Sequence, residues 1–313
     1  MLGKFLDPKN DVAFRKVFGS EKNQDILIHL LNDVIIFQEN RPIKKVTFLK
    51  TVQDPDIASQ KTSIVDILCE DDLGCKYIVE MQVAKTTGFE KRAQYYASKA
   101  YCSQIHVGGA YHKLKEVIFL AIADYIMFPK KKKYKSDHIL LDKETLEHDL
   151  KDFSYTFIEL PKFTKTIEEL NTLTEKWCYF FKYADETSPE DLQKLIGNDK
   201  ILERVYHELD RFYWTEQELL DYEQAEKARN DYISSLTQSR LEGKEEGIAI
   251  GEAKGKAEGK EEGKAEERAK AEQEKAEIQA RFAKSLEKKS FSLEEIAEAM
   301  GLTLEKVKRM LDV

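Results

Sequence analysis

Cysteine is scarce in this chain of 313 residues: Cys69, Cys75, Cys102 and Cys178 form no C-x-x-C pair. Neither a structural zinc site nor a disulfide framework is expected, which suits a reducing, cytoplasmic setting. Long apolar runs are missing too. Nothing approaches the ~20 residues that a membrane helix needs, so no membrane partner is expected. The opening MLGKFLDPKNDVAFRKVF is charged within a few positions and has no apolar h-region, so a secretory leader is not expected. Basic excess is absent as well: the formal charge is −8, which gives no global field for nucleic acid. The six histidines fall at no metal-ligand spacing, and neither a Ser/His/Asp nor a Cys/His arrangement is evident.

What the chain does have is the stretch from Ser63 to Val83, SIVDILCEDDLGCKYIVEMQV, which reads as a β-hairpin. Asp71, Asp72 and Gly74 mark its turn, and the flanking runs alternate with period two. With Leu68 opposite Ile78, Asp66 falls opposite Glu80 on one side of the sheet, and Gln82 lies further along that face. Val65, Ile67, Cys69, Tyr77, Val79, Met81 and Val83 are then expected to point the other way, into a core. Two carboxylates facing each other repel unless a cation bridges them. A divalent cation bound there could acidify a water and offset charge on a phosphodiester. Gln82 could orient that water or donate to the phosphate, but it brings no positive charge. The plainer reading is a solvated strand surface that carries Asp, Glu and Gln. Leu68 and Ile78 share the face of the acids, which suggests that the face is partly covered and makes unpaired carboxylates costly.

Around the hairpin, residues 7–37 read as helical from near Pro8, with a break at Gly19-Ser20. A strand is expected over Val46–Val52, a helix over Thr87–Ile105, a strand covered on both faces over Val117–Ala123, and another strand over Tyr155–Leu160. Residues 171–236 look mostly helical. Glycine then returns every fourth residue from Gly243 to Gly263 among Lys, Glu and Ala. Those six glycines would cost a helix ~5 kcal/mol relative to alanine. A solvated, partly helical spacer is expected, with pairing to a second chain as the alternative. The last stretch carries a capping box at Ser292 and Glu295, a stop at Gly301 and a second short helix, the outline of a helix-turn-helix. Its net charge of −2 over 291–313 favours protein contact over DNA contact.

Asp66 and then Glu80-Met81-Gln82 across a hairpin resemble the D…(D/E)-x-K signature of the PD-(D/E)XK nuclease superfamily. Glutamine stands at the lysine position, as in the Rpn family of recombination-promoting nucleases, also described as transposases. The run from Asp11 to Gly19, with Phe14, Lys16 and Phe18, resembles that family's opening helix. Lys61 before Asp66 is similar to its K-x-x-x-x-D-[IV] strand. Arg92, Gln94, Tyr95 and Tyr96, with Gln104, Gly109 and Tyr111, resemble the helix and loop that follow. The resemblance spans about residues 5–165.

It implies an α/β, restriction-endonuclease-like core, a mixed central β-sheet flanked by helices, and a magnesium-dependent DNA endonuclease linked to recombination, with Mn²⁺ as a substitute for Mg²⁺. It also implies that Asp66 and Glu80 are metal ligands, that Gln82 belongs to the catalytic set, and that Asp11 completes the acidic cluster. The weaker DNA-binding candidates are Arg92, Tyr95, Lys99 and Gln104, with Lys131 and Lys132 in a basic loop able to grip phosphates. Expected boundaries are a nuclease core over 1–170, a helical extension over 171–240, the glycine-repeat spacer over 241–290, and the terminal module over 291–313. The tail is a candidate for homo-oligomer formation. The rival to cleavage is a degenerate nuclease fold that binds DNA or a protein without cutting.

Overall fold

Asn10 sets the start of the first helix, later than Pro8 suggests, because its side chain accepts from the Val12 amide. The structure, a computed structural model, describes residues 4–37, 41–53, 63–105 and 109–311, and the chain divides into two units, Met1–Ile233 and Ser234–Val313. Lys61 lies outside the described residues. In the first unit α1 spans Asp11–Phe18, and α2 follows over Gln24–Val34 after the break at Gly19-Ser20.

The strands are β1 (Val46–Phe48), β2 (Val52–Gln53), β3 (Ser63–Ile64), β4 (Ile67–Asp71), β5 (Lys76–Gln82), β6 (Val117–Ala123), β7 (Lys135–Ile139) and β8 (Phe153–Glu159). Six of them form a mixed sheet in the order β1-β4-β5-β6-β8-β7, and β2 pairs with β3 apart from it. Strands β5, β6 and β8 run parallel, and the outer pairings are antiparallel. Helix α3, Phe89–Cys102, is part of the crossover between β5 and β6 that parallel pairing requires.

Both faces of the sheet are covered, so β6 can be apolar throughout, and all seven of its residues are buried. On one face, α3 lays Phe89, Ala93, Ala97 and Ala100 against Leu68, Ile78, Phe119 and Ala121. Alanine at these positions lets the helix backbone approach the strands. On the other face, Ile67, Tyr77, Val79, Met81 and Ile122 share a core with α1, α2, α4 (Leu173–Tyr183) and α6 (Lys200–Leu209). Phe14, Phe18, Trp177, Phe180 and Phe181 form its aromatic centre, with Phe18 and Phe181 centroids 5.4 Å apart. Trp177 satisfies its indole N–H on Asp33 Oδ2 at 2.8 Å. Helix α5 spans Pro189–Ile196.

Two expectations need correcting, and one strand lies outside them. The single strand expected over Val46–Val52 is two strands, because the chain leaves the edge of β4 after Leu49 and turns to pair with β3. Val65 does not follow Ile67 into the larger core. A bend at Asp66 breaks the alternation, and Val65 packs with Leu68 and Ile78 on the α3 side. Strand β7 was not expected at all: KSDHI is a half-exposed edge strand without an apolar face.

Helix α7 spans Glu216–Glu287 and belongs to both units, so the glycine repeat is helical and solvent-exposed along its length. In the second unit α8 (Leu293–Met300) and α9 (Leu304–Leu311) pack Ile296, Ala297, Val307 and Leu311 around Ala283. Ser292 and Glu295 form the capping box, and Gly301 ends α8 with φ 61°. Among the described residues no helix is long and apolar enough to cross a membrane.

Candidate active site

Leu68 pairs with Ile78, the register expected from the sequence, and the next pair along the hairpin is Ile67 with Val79. One step further, the backbone ladder gives way to side chains. The Asp66 amide donates to Glu80 Oε1 at 3.1 Å, and the Met81 amide donates to Asp66 Oδ2 at 3.0 Å. Each carboxylate is therefore held by the strand opposite its own. Glu80 sits where β5 is flanked by β4 and β6, and only 3% of it is exposed. Burial pushes its carboxyl up to about 8, and the neighbouring Asp66 charge adds to the effect.

Gln82, at the end of β5, donates through Nε2 to Glu80 Oε2 at 3.1 Å. Its Oε1 accepts from Arg92 Nη2 at 2.7 Å. Arg92 reaches it from the first turn of α3, whose preceding residue, Gly88, has φ 77°. The guanidinium lies 4.8 Å from the Phe89 ring centroid and 5.9 Å from that of Tyr96. Tyr96 also belongs to this corner: burial raises its hydroxyl, and the charges of Arg92, Glu80 and Asp66 all act on it.

From the other side, α1 contributes two groups one turn apart. Arg15 Nη2 donates to Asp66 Oδ1 at 3.0 Å with its side chain half exposed. The Asp11 carboxyl is raised by burial and then by the charge of Asp66, so Asp11 belongs to the same field. Among the described residues no group of three or more His, Cys, Asp or Glu side chains stands at metal-binding distance. The oxygens that do converge are those of the Asp66 and Glu80 carboxylates, a buried acid that resists ionising beside a second acid. That set suits a hard divalent cation that takes one or two carboxylates and leaves its other positions to water and phosphate.

The structure brings Asp66, Glu80, Gln82 and Arg92 together, with Asp11 near them. Tyr95 and Lys99 lie further along α3, where Lys99 Nζ is 5.9 Å from the Tyr95 ring centroid. Gln104 is not brought to the acids: its amide clamps the Lys115 backbone before β6, at the opposite end of the sheet. Lys131 and Lys132 belong to an exposed loop that does lie at the acidic end. Lys135, just after it, pairs with Ile158, which is level with Ile122 and Met81 across the parallel strands. The base of that loop is fixed by buried Glu159, which accepts from the Met127 and Phe128 amides at 2.6 and 2.9 Å and pairs with Lys162 at 2.6 Å. Reasoning from sequence missed Arg15 as a site residue, although its spacing of four from Asp11 puts both on one helix face. A cavity of about 500 Å³ lined by Arg41, Cys75, Glu116, His148 and Asp152 lies at the other end of the sheet, away from the acids.

A mixed α/β sheet that presents Asp from the bend before one strand and Glu-x-Gln from the adjacent strand, at one end, has the arrangement of the PD-(D/E)XK class. The family model described as PD-(D/E)XK nuclease family transposase matches residues 8–239, and the chain belongs to that family. No curated protein and no solved structure matches the chain.

Proposed function

We propose that this protein is a magnesium-dependent DNA endonuclease that acts in recombination in the cytoplasm, with Mn²⁺ as a substitute for Mg²⁺. The observation that carries this reading is the mutual placement of Asp66 and Glu80, each held by the other's strand, with one acid buried beside the charge of the other. Asp66 and Glu80 would hold the cation, with Asp11 as a further oxygen donor at its edge. A bound Mg²⁺ supplies an acidified water and offsets charge on the scissile phosphodiester. Gln82 keeps an N–H directed at the acid pair. Lys131 and Lys132 offer cations to the DNA backbone from the same end of the sheet, and Tyr95 and Lys99 extend that surface along α3.

The test is cleavage of plasmid DNA with and without Mg²⁺ by the wild type and by Asp66→Ala and Glu80→Ala, with circular dichroism to show that the fold survives. Cutting only by the wild type, and only with metal, supports the assignment. Cutting at the wild-type rate by Asp66→Ala and Glu80→Ala combined in one chain would remove it.

A specific observation favours a second reading, a degenerate nuclease fold that binds DNA or a protein without cutting: Arg15 already pairs with Asp66, and Gln82 is neutral. Calorimetry separates the two, because a degenerate site shows no Mg²⁺ or Mn²⁺ affinity that depends on Glu80. The working division of the chain is a nuclease core over 1–170 with its helical extension to 240, then a spacer over 241–290 and a contact module over 291–313. The tail is proposed to join copies of the chain. An unchanged oligomer after removal of residues 241–313 would rule that out.

A further inference from the structure

We infer that Arg92 acts through Gln82 as the positive charge at the lysine position, so that the amide and the guanidinium together do the work of one lysine. The inference rests on the endonuclease reading above for its chemistry. For its geometry it rests on two hydrogen bonds and two rings.

Gln82 can be placed with either end of its amide toward Glu80, and the two orientations differ in what they offer the site. Here the partners decide. A guanidinium has only donors, so the 2.7 Å bond from Arg92 must end on Oε1. The amide nitrogen is then left facing Glu80, where it donates at 3.1 Å. Without Arg92 the amide is free to turn, and its carbonyl could face the acids and add repulsion. With Arg92 in place, Nε2 keeps a second N–H for a phosphate oxygen. The charge behind Oε1 also polarises the amide and strengthens it as a donor.

A simple contact to the DNA backbone would be mobile and exposed. Arg92 is neither. The guanidinium lies 4.8 Å from the Phe89 ring centroid and 5.9 Å from that of Tyr96, Phe89 is itself 2% exposed, and the Arg92 Nε–H is buried. The backbone fixes its origin too, because the Arg92 amide makes the first bond of the α3 helix to the Gly88 carbonyl at 3.0 Å. The sequence places a neutral residue where the superfamily signature has a cation. The fold supplies a cation one residue removed in space, on the helix that covers this face. Arg92 is on this account a positioning residue, since it reaches the acids through Gln82.

The experiment uses the full chain with Arg92→Gln, Arg92→Lys and Gln82→Lys/Arg92→Gln. It measures single-turnover cleavage of saturating DNA in Mg²⁺, DNA affinity by anisotropy without divalent metal, and melting temperature. Loss of one oriented electrostatic group typically lowers the catalytic rate about 10²-fold. Arg92→Gln should show a loss of that order, with DNA affinity changed less than about twofold. Arg92→Lys should keep part of the rate, because it keeps the charge without the fork. Gln82→Lys added to Arg92→Gln should restore at least about tenfold, since a lysine then brings the charge directly. The inference is overturned if Arg92→Gln cuts within about threefold of the wild type, if its DNA affinity falls in step with its rate, or if the added lysine restores nothing. A wild type that cuts no DNA with Mg²⁺ or Mn²⁺ overturns the endonuclease reading, and this inference with it.

Discussion

Arg15 on α1 and Asp66 at the bend before β4 are joined at 3.0 Å, across a separation of 51 residues in sequence. This ion pair occupies Asp66 Oδ1, one of the oxygens proposed for the metal, so a divalent cation and Arg15 compete for it. Arg15→Gln should therefore bind Mn²⁺ about three- to tenfold more tightly by calorimetry, equivalent to ~1 kcal/mol for a half-exposed charge. Unchanged or weaker binding would place the metal elsewhere.

Glu80 should make the metal-free protein sensitive to pH in a defined direction. Its carboxyl is held up to about 8 in the fold, from an ordinary value of 4.5. The folded state therefore keeps a proton that the unfolded state releases. The associated stability is fully present below about pH 4.5 and is lost as pH rises through about 8. Melting temperatures from pH 5 to 9 should fall more steeply for the wild type than for Glu80→Gln. Added Mg²⁺ should recover the loss at high pH in the wild type alone. Parallel curves for the two proteins would show that Glu80 does not titrate in this window.

The buried pair of Glu159 and Lys162 should carry stability in a way that exposed pairs do not. Removing one partner leaves the other charge buried, and the Met127 and Phe128 amides lose their acceptor. Glu159→Ala should lower the free energy of unfolding by about 3–5 kcal/mol in a urea titration. It should also speed amide exchange in the 127–133 loop. A change within about 0.5 kcal/mol would mean that the pair is structurally idle.

The basic loop should act on affinity and leave chemistry alone. Lys131→Gln/Lys132→Gln should weaken DNA binding and flatten its dependence on salt, lowering the slope of log K against log salt by about 2. The cleavage rate at saturating DNA should be unchanged. An unaltered salt slope would take the loop out of the DNA path.

Much of this architecture was legible where a pattern is tied to backbone geometry. Alternation and the Asp71–Gly74 turn gave the Leu68–Ile78 register, and the unbroken apolar run gave β6 as a strand covered on both faces. Where one residue departs from the pattern, the reading failed. A single bend at Asp66 moved Val65 to the opposite face, and no local signal announces it. Strand β7 was missed because an edge strand needs no apolar stripe; its pairing with β8 is what makes it a strand. The acid pair could be placed from its hairpin alone, because both members lie within 15 residues. Arg15 could not, since a helix must be docked before its charged face has a neighbour.

The two bonds that tie Asp66 to β5, its amide to the Glu80 carboxylate and the Met81 amide to its own carboxylate, give the site a further property. Asp66 and Glu80 acquire their partners only when the hairpin closes in register, since a slip of one residue would set Met81 or Val79 where Glu80 belongs. During refolding, the recovery of DNA cleavage would therefore lag behind the return of helical signal. The delay would time the closing of β4 onto β5, turning the proposed activity into a stopwatch for the protein's own central strand pair.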